Sequence, residues 1–160
     1  MHFYLGQINK VFKFGLWEKN EYFCTFFMSK LRQKSDFNID AASALLKQNL
    51  FAPSVHCSYY SCFQLLKYTI KDFFEVDYET LAVNISTSKQ KTHQYVINYI
   101  TKELVTLAGV KESQDFKRKI KDLKQFREES DYEDIEVNSD KGNNAYNKAR
   151  EIRSYIIEKF

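Results

Sequence analysis

Apolar residues recur at helical spacing along most of the chain beyond residue 35, and the repeats divide it into elements. Ala41, Ala42, Leu45 and Leu46 line one side of a helix predicted from Ile39 to Asn49, with Asp36 or Asn38 as its cap. Phe51-Ala52-Pro53-Ser54 reads as a turn, and Pro53 suits the first turn of the next helix. That helix, Pro53 to Phe74, is the most apolar stretch. Val55, Tyr59, Cys62, Leu66, Ile70 and Phe73 form its stripe, and Tyr60, Phe63 and Phe74 widen it. A helix apolar over so much of its circumference belongs at the centre of a fold. Glu75 to Lys91 carries a weak pattern and reads as a linker and mobile loop. From Thr92 a helix begins with His93, Ile97, Ile100, Leu104 and Leu107 as its stripe, and Gly109 ends it. Phe116, Ile120 and Leu123 mark a helix from Ser113 to Glu129, whose chain then turns through Glu128–Asp131 to Tyr132. Ala145, Ala149, Ile152 and Ile156 mark a last helix from Ser139 to Lys159.

These patterns predict an all-α protein, a four- to five-helix antiparallel bundle. The segments 39–49/53–74 and 113–129/139–159 read as two hairpins, with 92–108 beside or between them. Scarce glycine (4) and proline (1) favour helices over a turn-rich β fold. A length of 160 residues suits one domain with its own core. The central helix is apolar on more than one side, so a homodimer is expected. Residues 1–27 are aromatic and patternless. Either Met28 is the natural start and they extend the reading frame, or their aromatic residues form an extra helix or strand over an exposed face.

Charge changes the picture little. The formal net charge is +3, and residues 1–34 hold six Lys/Arg against two Asp/Glu, so the remainder is close to neutral. A basic surface on the main body would have to come from local clustering. Residues 128–140 contain seven Asp/Glu and no Lys/Arg, which reads as a solvated acidic connection without calcium-loop spacing. Cys24, Cys57 and Cys62 lack metal-binding or disulfide spacing and read as reduced packing residues of a cytosolic protein. Neither a signal peptide nor a membrane span is expected. The chain has no phosphate-binding glycine loop, nucleophile elbow, metal-ligand pair or cofactor motif.

One position breaks the pattern. One step of four beyond Leu123 lands on Arg127, so a basic helix aims an arginine along its buried stripe. Such an arginine must be paired, sit at an interface or line a polar cleft, because an unpaired buried charge is costly. An ion pair with Asp131 or another acid is the structural reading. A site is the functional one. Ser58, Tyr59 and Gln64 bring polar atoms onto the central helix, either as satisfied core groups or as one wall of that site. His93, near the start of its helix on the inward side, is either a packing residue or a base.

The segments Ala41-Ala42-Ser43-Ala44-Leu45-Leu46, Ser58-Tyr59-Tyr60-Ser61-Cys62-Phe63, Thr92-His93, Arg127 through Asp131 to Tyr132, and the Ala145/Ala149 helix resemble, in this order, the HEPN superfamily (higher eukaryote and prokaryote nucleotide-binding). The nearest likeness is to its small prokaryotic branch with a Tyr-Tyr pair and an Arg-x-x-x-Asp-Tyr turn. The resemblance covers about residues 36–159 and sets a helical domain, 36–160, apart from an N-terminal extension, 1–35. It implies a bundle that is usually dimeric, with RNA as the typical substrate and defence or toxin–antitoxin systems as the setting. Many such proteins are metal-independent endoribonucleases. In their usual motif an arginine is followed, after four to six residues, by a histidine. The arginine stabilises phosphate charge, and the histidine handles protons as a ribose 2′-hydroxyl attacks.

Here the arginine is Arg127, but the positions due for histidine hold Tyr132, Glu133 and Asp134. Neither Asp131 nor Tyr132 is a ready base at neutral pH. The resemblance therefore leaves Arg127, Asp131 and Tyr132 as catalytic candidates, with Ser58, Tyr59 and His93 as substrate-binding candidates. Three functions follow: a ribonuclease or toxin; a non-catalytic module that binds RNA, nucleotide or a partner such as a nucleotidyltransferase antitoxin; or a structural dimerisation domain.

Overall fold

The structure, a computed structural model, describes residues 29–160, so the expectations for residues 1–27 and Cys24 lie outside the described residues. Those described residues form six α-helices and no strand. They are α1 (Lys30–Lys47), α2 (Phe51–Asp72), α3 (Tyr78–Ser88), α4 (Thr92–Ala108), α5 (Val110–Tyr132) and α6 (Ser139–Lys159).

The apolar α2 sits at the centre and packs against α1, α4, α5 and α6. Val55, Tyr59, Cys62, Leu66 and Ile70 are fully buried on it, and they meet Ile97, Ile100, Ile120, Leu123, Ala149 and Ile152 from the surrounding helices. Burial of large apolar side chains on several sides of one helix is the main force holding the others in place. Gly109 turns α4 directly into α5 with φ +86°, a conformation that strains any residue with a side chain. At the other end Gly142 lets α6 approach the α1–α2 corner. A methyl group there would stand 3.0 Å from Leu46 and 3.2 Å from Phe51.

Six expectations need correction. Phe51–Ser54 is the first turn of α2 and not a separate turn, and Leu107, assigned to the inward stripe of α4, is exposed near that helix's end. The segment read as a mobile linker contains α3. Asp77 caps it by accepting the Thr80 N–H at 2.7 Å, and Leu81 anchors it in the core. One buried residue on a short helix leaves little periodic signal. α1 begins nine residues before Ile39, so Asp36 and Asn38 are interior residues and not caps. Phe73 falls beyond α2 and is substantially exposed, with its ring edge-on to Phe74 and Phe160. Finally, α5 continues to Tyr132, so Glu128–Asp131 is helix and not a turn.

A second buried arginine, Arg153, lies on α6. Its guanidinium donates to Ser35 Oγ, to the Ser61 carbonyl at 3.3 Å and to Asp36. Ser35 Oγ in turn donates to the Ser61 carbonyl at 2.6 Å. The cation thus ties α1, α2 and α6 together with both outer nitrogens engaged, and a buried charge requires such partners. Arg153→Met is expected to cost about 2 kcal/mol of folding stability. It strips donors from Ser35 and Ser61, while Asp36 keeps Arg32. A shift in the urea midpoint at unchanged slope checks it.

Candidate functional site

α2, α4 and α5 converge on Arg127, which is 6% exposed. Because α5 remains helical to its end, Asp131 lies one turn after Arg127, and its carboxylate is 3.5 Å from the arginine Nε. That is ion-pair range but too long for a good hydrogen bond, and among the described residues Nε has no hydrogen-bond partner. The outer nitrogens reach tyrosines: Nη2 donates to Tyr60 Oη at 3.0 Å and Nη1 to Tyr132 Oη at 3.2 Å. The rings of Tyr59, Tyr60 and Tyr132 stand 5.3–5.4 Å from the guanidinium carbon, close enough for cation–π attraction. Burial works against the charge, but Tyr60, Tyr132 and Asp131 hold the pKa of Arg127 above its ordinary value. It is a permanent cation in an aromatic box with donors to spare.

Two histidines flank this box. On α4, His93 stacks flat on Phe63 at 4.0 Å, and its Nδ1 lies 2.6 Å from Tyr59 Oη. Burial pushes the Tyr59 phenol well above its ordinary range, so it stays protonated. His93 is pushed the other way, first by burial and then by Arg127, Lys124 and Lys67, with Glu128 opposing. Of these cations, Lys124 is itself paired with Glu128. On α2, His56 lies against Asp131, with Nδ1 2.9 Å from Oδ2, and its ring packs 4.6 Å from Tyr60.

Arg127, Asp131, Tyr132, Tyr59 and His93 thus come together. Ser58 does not join them. It belongs to the opposite face of α2 with Ser54 and Ser61, which bond toward α1 and carry Arg153. Its hydroxyl is buried without a partner, where a bond to a helix carbonyl was expected. Sequence reasoning passed over His56 and Tyr60. Their i, i+4 spacing on the edge of an apolar helix is the signal that could have marked them.

A separate cleft of about 360 Å³ opens between the early turns of α5 and the late turns of α6, lined by Phe116, Lys119, Glu151 and Tyr155 among others. It lies roughly 16 Å along α5 from Arg127. Lys119 there is spent on Asp115 and Glu151 at 3.3 Å each, so the cleft has no spare charge to offer at that residue.

A family model for the HEPN domain matches residues 28–160, and the chain belongs to that family. Membership brings a role connected with nucleotides or RNA. No curated protein and no solved structure matches the chain. No helix among the described residues is long and apolar enough to cross a membrane.

The depressed His93 pKa fixes a sign for stability. Folding favours its neutral form, so its contribution is complete above the ordinary value of 6.5 and is lost as pH falls below it. Urea midpoints measured from about pH 7 down to about pH 5 should fall more steeply in the wild type than in His93→Asn, whose amide oxygen can still accept from Tyr59.

Proposed function

We propose that the chain binds RNA by its phosphate backbone at Arg127 and cleaves it as a metal-independent endoribonuclease. One observation carries this reading: the two buried arginines are treated differently. Arg153 is matched to a carboxylate, a hydroxyl and a carbonyl from two other helices. Arg127 is met instead by two neutral phenol hydroxyls, Tyr60 at 3.0 Å and Tyr132 at 3.2 Å. Its carboxylate stands off at 3.5 Å and is shared with His56, and its Nε is orphaned. A phosphate supplies the bidentate acceptor that a planar guanidinium prefers. It would take the place of the Tyr132 hydroxyl on Nη1, and Tyr132, 75% exposed at the end of α5, is free to swing aside. Arg127 and Lys67, two cations near His93, favour the approach of a polyanion.

The exposed Tyr132 ring favours a second reading, binding without cleavage, in which a base stacks on tyrosine while Arg127 holds the phosphate. In either case we propose that the working form is a homodimer, with Ile135, exposed beyond the end of α5, offering apolar surface for a second copy to cover.

Incubation with end-labelled RNA in EDTA separates the readings. The proposal expects wild-type cleavage that leaves 2′,3′-cyclic phosphate ends, and a loss of at least about tenfold in Arg127→Lys with the fold intact by circular dichroism. RNA binding without cleavage supports the second reading. A protein that neither binds nor cleaves RNA contradicts both.

A further inference from the structure

The geometry points to His56 as the general base of this cleavage, with Asp131 as its positioning residue, an inference that rests on the RNA-cleaving reading above. His56 comes from the central helix, 75 residues before Asp131 in the chain. Its Nδ1 faces both carboxylate oxygens of Asp131, at 2.9 and 3.2 Å. An ionised carboxylate only accepts, so the imidazole proton sits on Nδ1 and the lone pair is left on Nε2. Packing on Tyr60 limits rotation of the ring, yet 46% of the side chain is open to solvent. That is what a base must offer: a fixed tautomer, a fixed direction and an accessible nitrogen.

The groups that hold His56 also hold Arg127. Asp131 faces His56 Nδ1 and Arg127 Nε, and Tyr60 packs on His56 while accepting from Arg127 Nη2. A phosphate drawn to Arg127 therefore sits on the same mount as the base. His93 is the contrasting case. Among the described residues the Tyr59 hydroxyl has no other hydrogen-bond partner, and donating to His93 Nδ1 is the arrangement that leaves its buried proton paired. The proton of His93 is then on Nε2, which offers no lone pair. The two histidines carry opposite tautomers, and only His56 can accept.

In the reaction, His56 Nε2 takes the proton of the ribose 2′-hydroxyl. The 2′-oxygen forms its bond to phosphorus, and the bond from phosphorus to the 5′-oxygen breaks. The departing 5′-oxygen takes a proton from water, and the imidazolium returns its own proton to the resulting hydroxide. The products are a 2′,3′-cyclic phosphate and a 5′-hydroxyl, with no net change in protons. Arg127 carries the charge that builds on the phosphoryl oxygens.

The test compares wild type, His56→Ala, Asp131→Asn and Arg127→Ala on an end-labelled random-sequence RNA pool in EDTA. His56→Ala is expected to cleave about 10²- to 10⁴-fold more slowly, to bind RNA as wild type does, and to regain part of the rate when imidazole is added. A structural role would give no such rescue. In Asp131→Asn the tautomer is no longer held, and the cleavage rate at saturating RNA falls. Cleavage by His56→Ala less than about tenfold slower than wild type, with Arg127→Ala inactive, overturns the assignment of His56 and leaves the RNA reading standing. No cleavage by the wild type overturns both. Nitrogen NMR of the imidazoles gives a readout free of substrate: neutral His56 is expected with its proton on Nδ1, and a proton on Nε2 overturns the inference.

Discussion

A cation inside a helical bundle must be surrounded by groups that replace water, and everything else in this protein depends on how that is done for two arginines. At Arg153 both outer nitrogens are engaged: Asp36, Ser35 and the Ser61 carbonyl hold them from α1 and α2. At Arg127 the replacement is partial. Aromatic faces and phenol oxygens keep the ion charged without neutralising it. The first arrangement belongs to folding and the second leaves binding capacity unspent, a division common where a fold carries a site. Asp131 extends that capacity, because one carboxylate orients both the cation and a histidine.

The bundle supports this arrangement by rigidity. α2 is buried on several sides and supplies His56, Tyr59 and Tyr60 from one edge, so those side chains are set by core packing and not by a loop. α5 supplies Arg127, Asp131 and Tyr132 from its last two turns. The arginine is held at the well-packed end of that set and Tyr132 at the exposed end. The site is firm beneath and open above.

Much of this was legible in the residues. The apolar stripes placed the central helix and the last helix closely, and Arg127 stood out because a charge interrupted a buried repeat. What escaped had weak local signals. Residues 30–38 are mostly polar, and their helix is fastened by Ser35 and Asp36 to Arg153, far away in sequence. α3 rests on one cap and one anchor, Asp77 and Leu81. The pairing of His56 with Asp131 joins residues 75 apart, which no periodicity reports. His56 lies outside the stretch after Arg127 where the resemblance places a histidine, and it reaches Asp131 from another helix.

The central claim is that the charge of Arg127 is held for a phosphate and not for the fold. The salt dependence of RNA binding tests it most directly, measured for the wild type and Arg127→Met. Each phosphate contact adds about 0.7 to the slope of log affinity against log salt for a single strand. The account predicts a weaker affinity for every sequence tested and a slope smaller by about that amount in the variant. Equal slopes and equal affinities for the two proteins would contradict it.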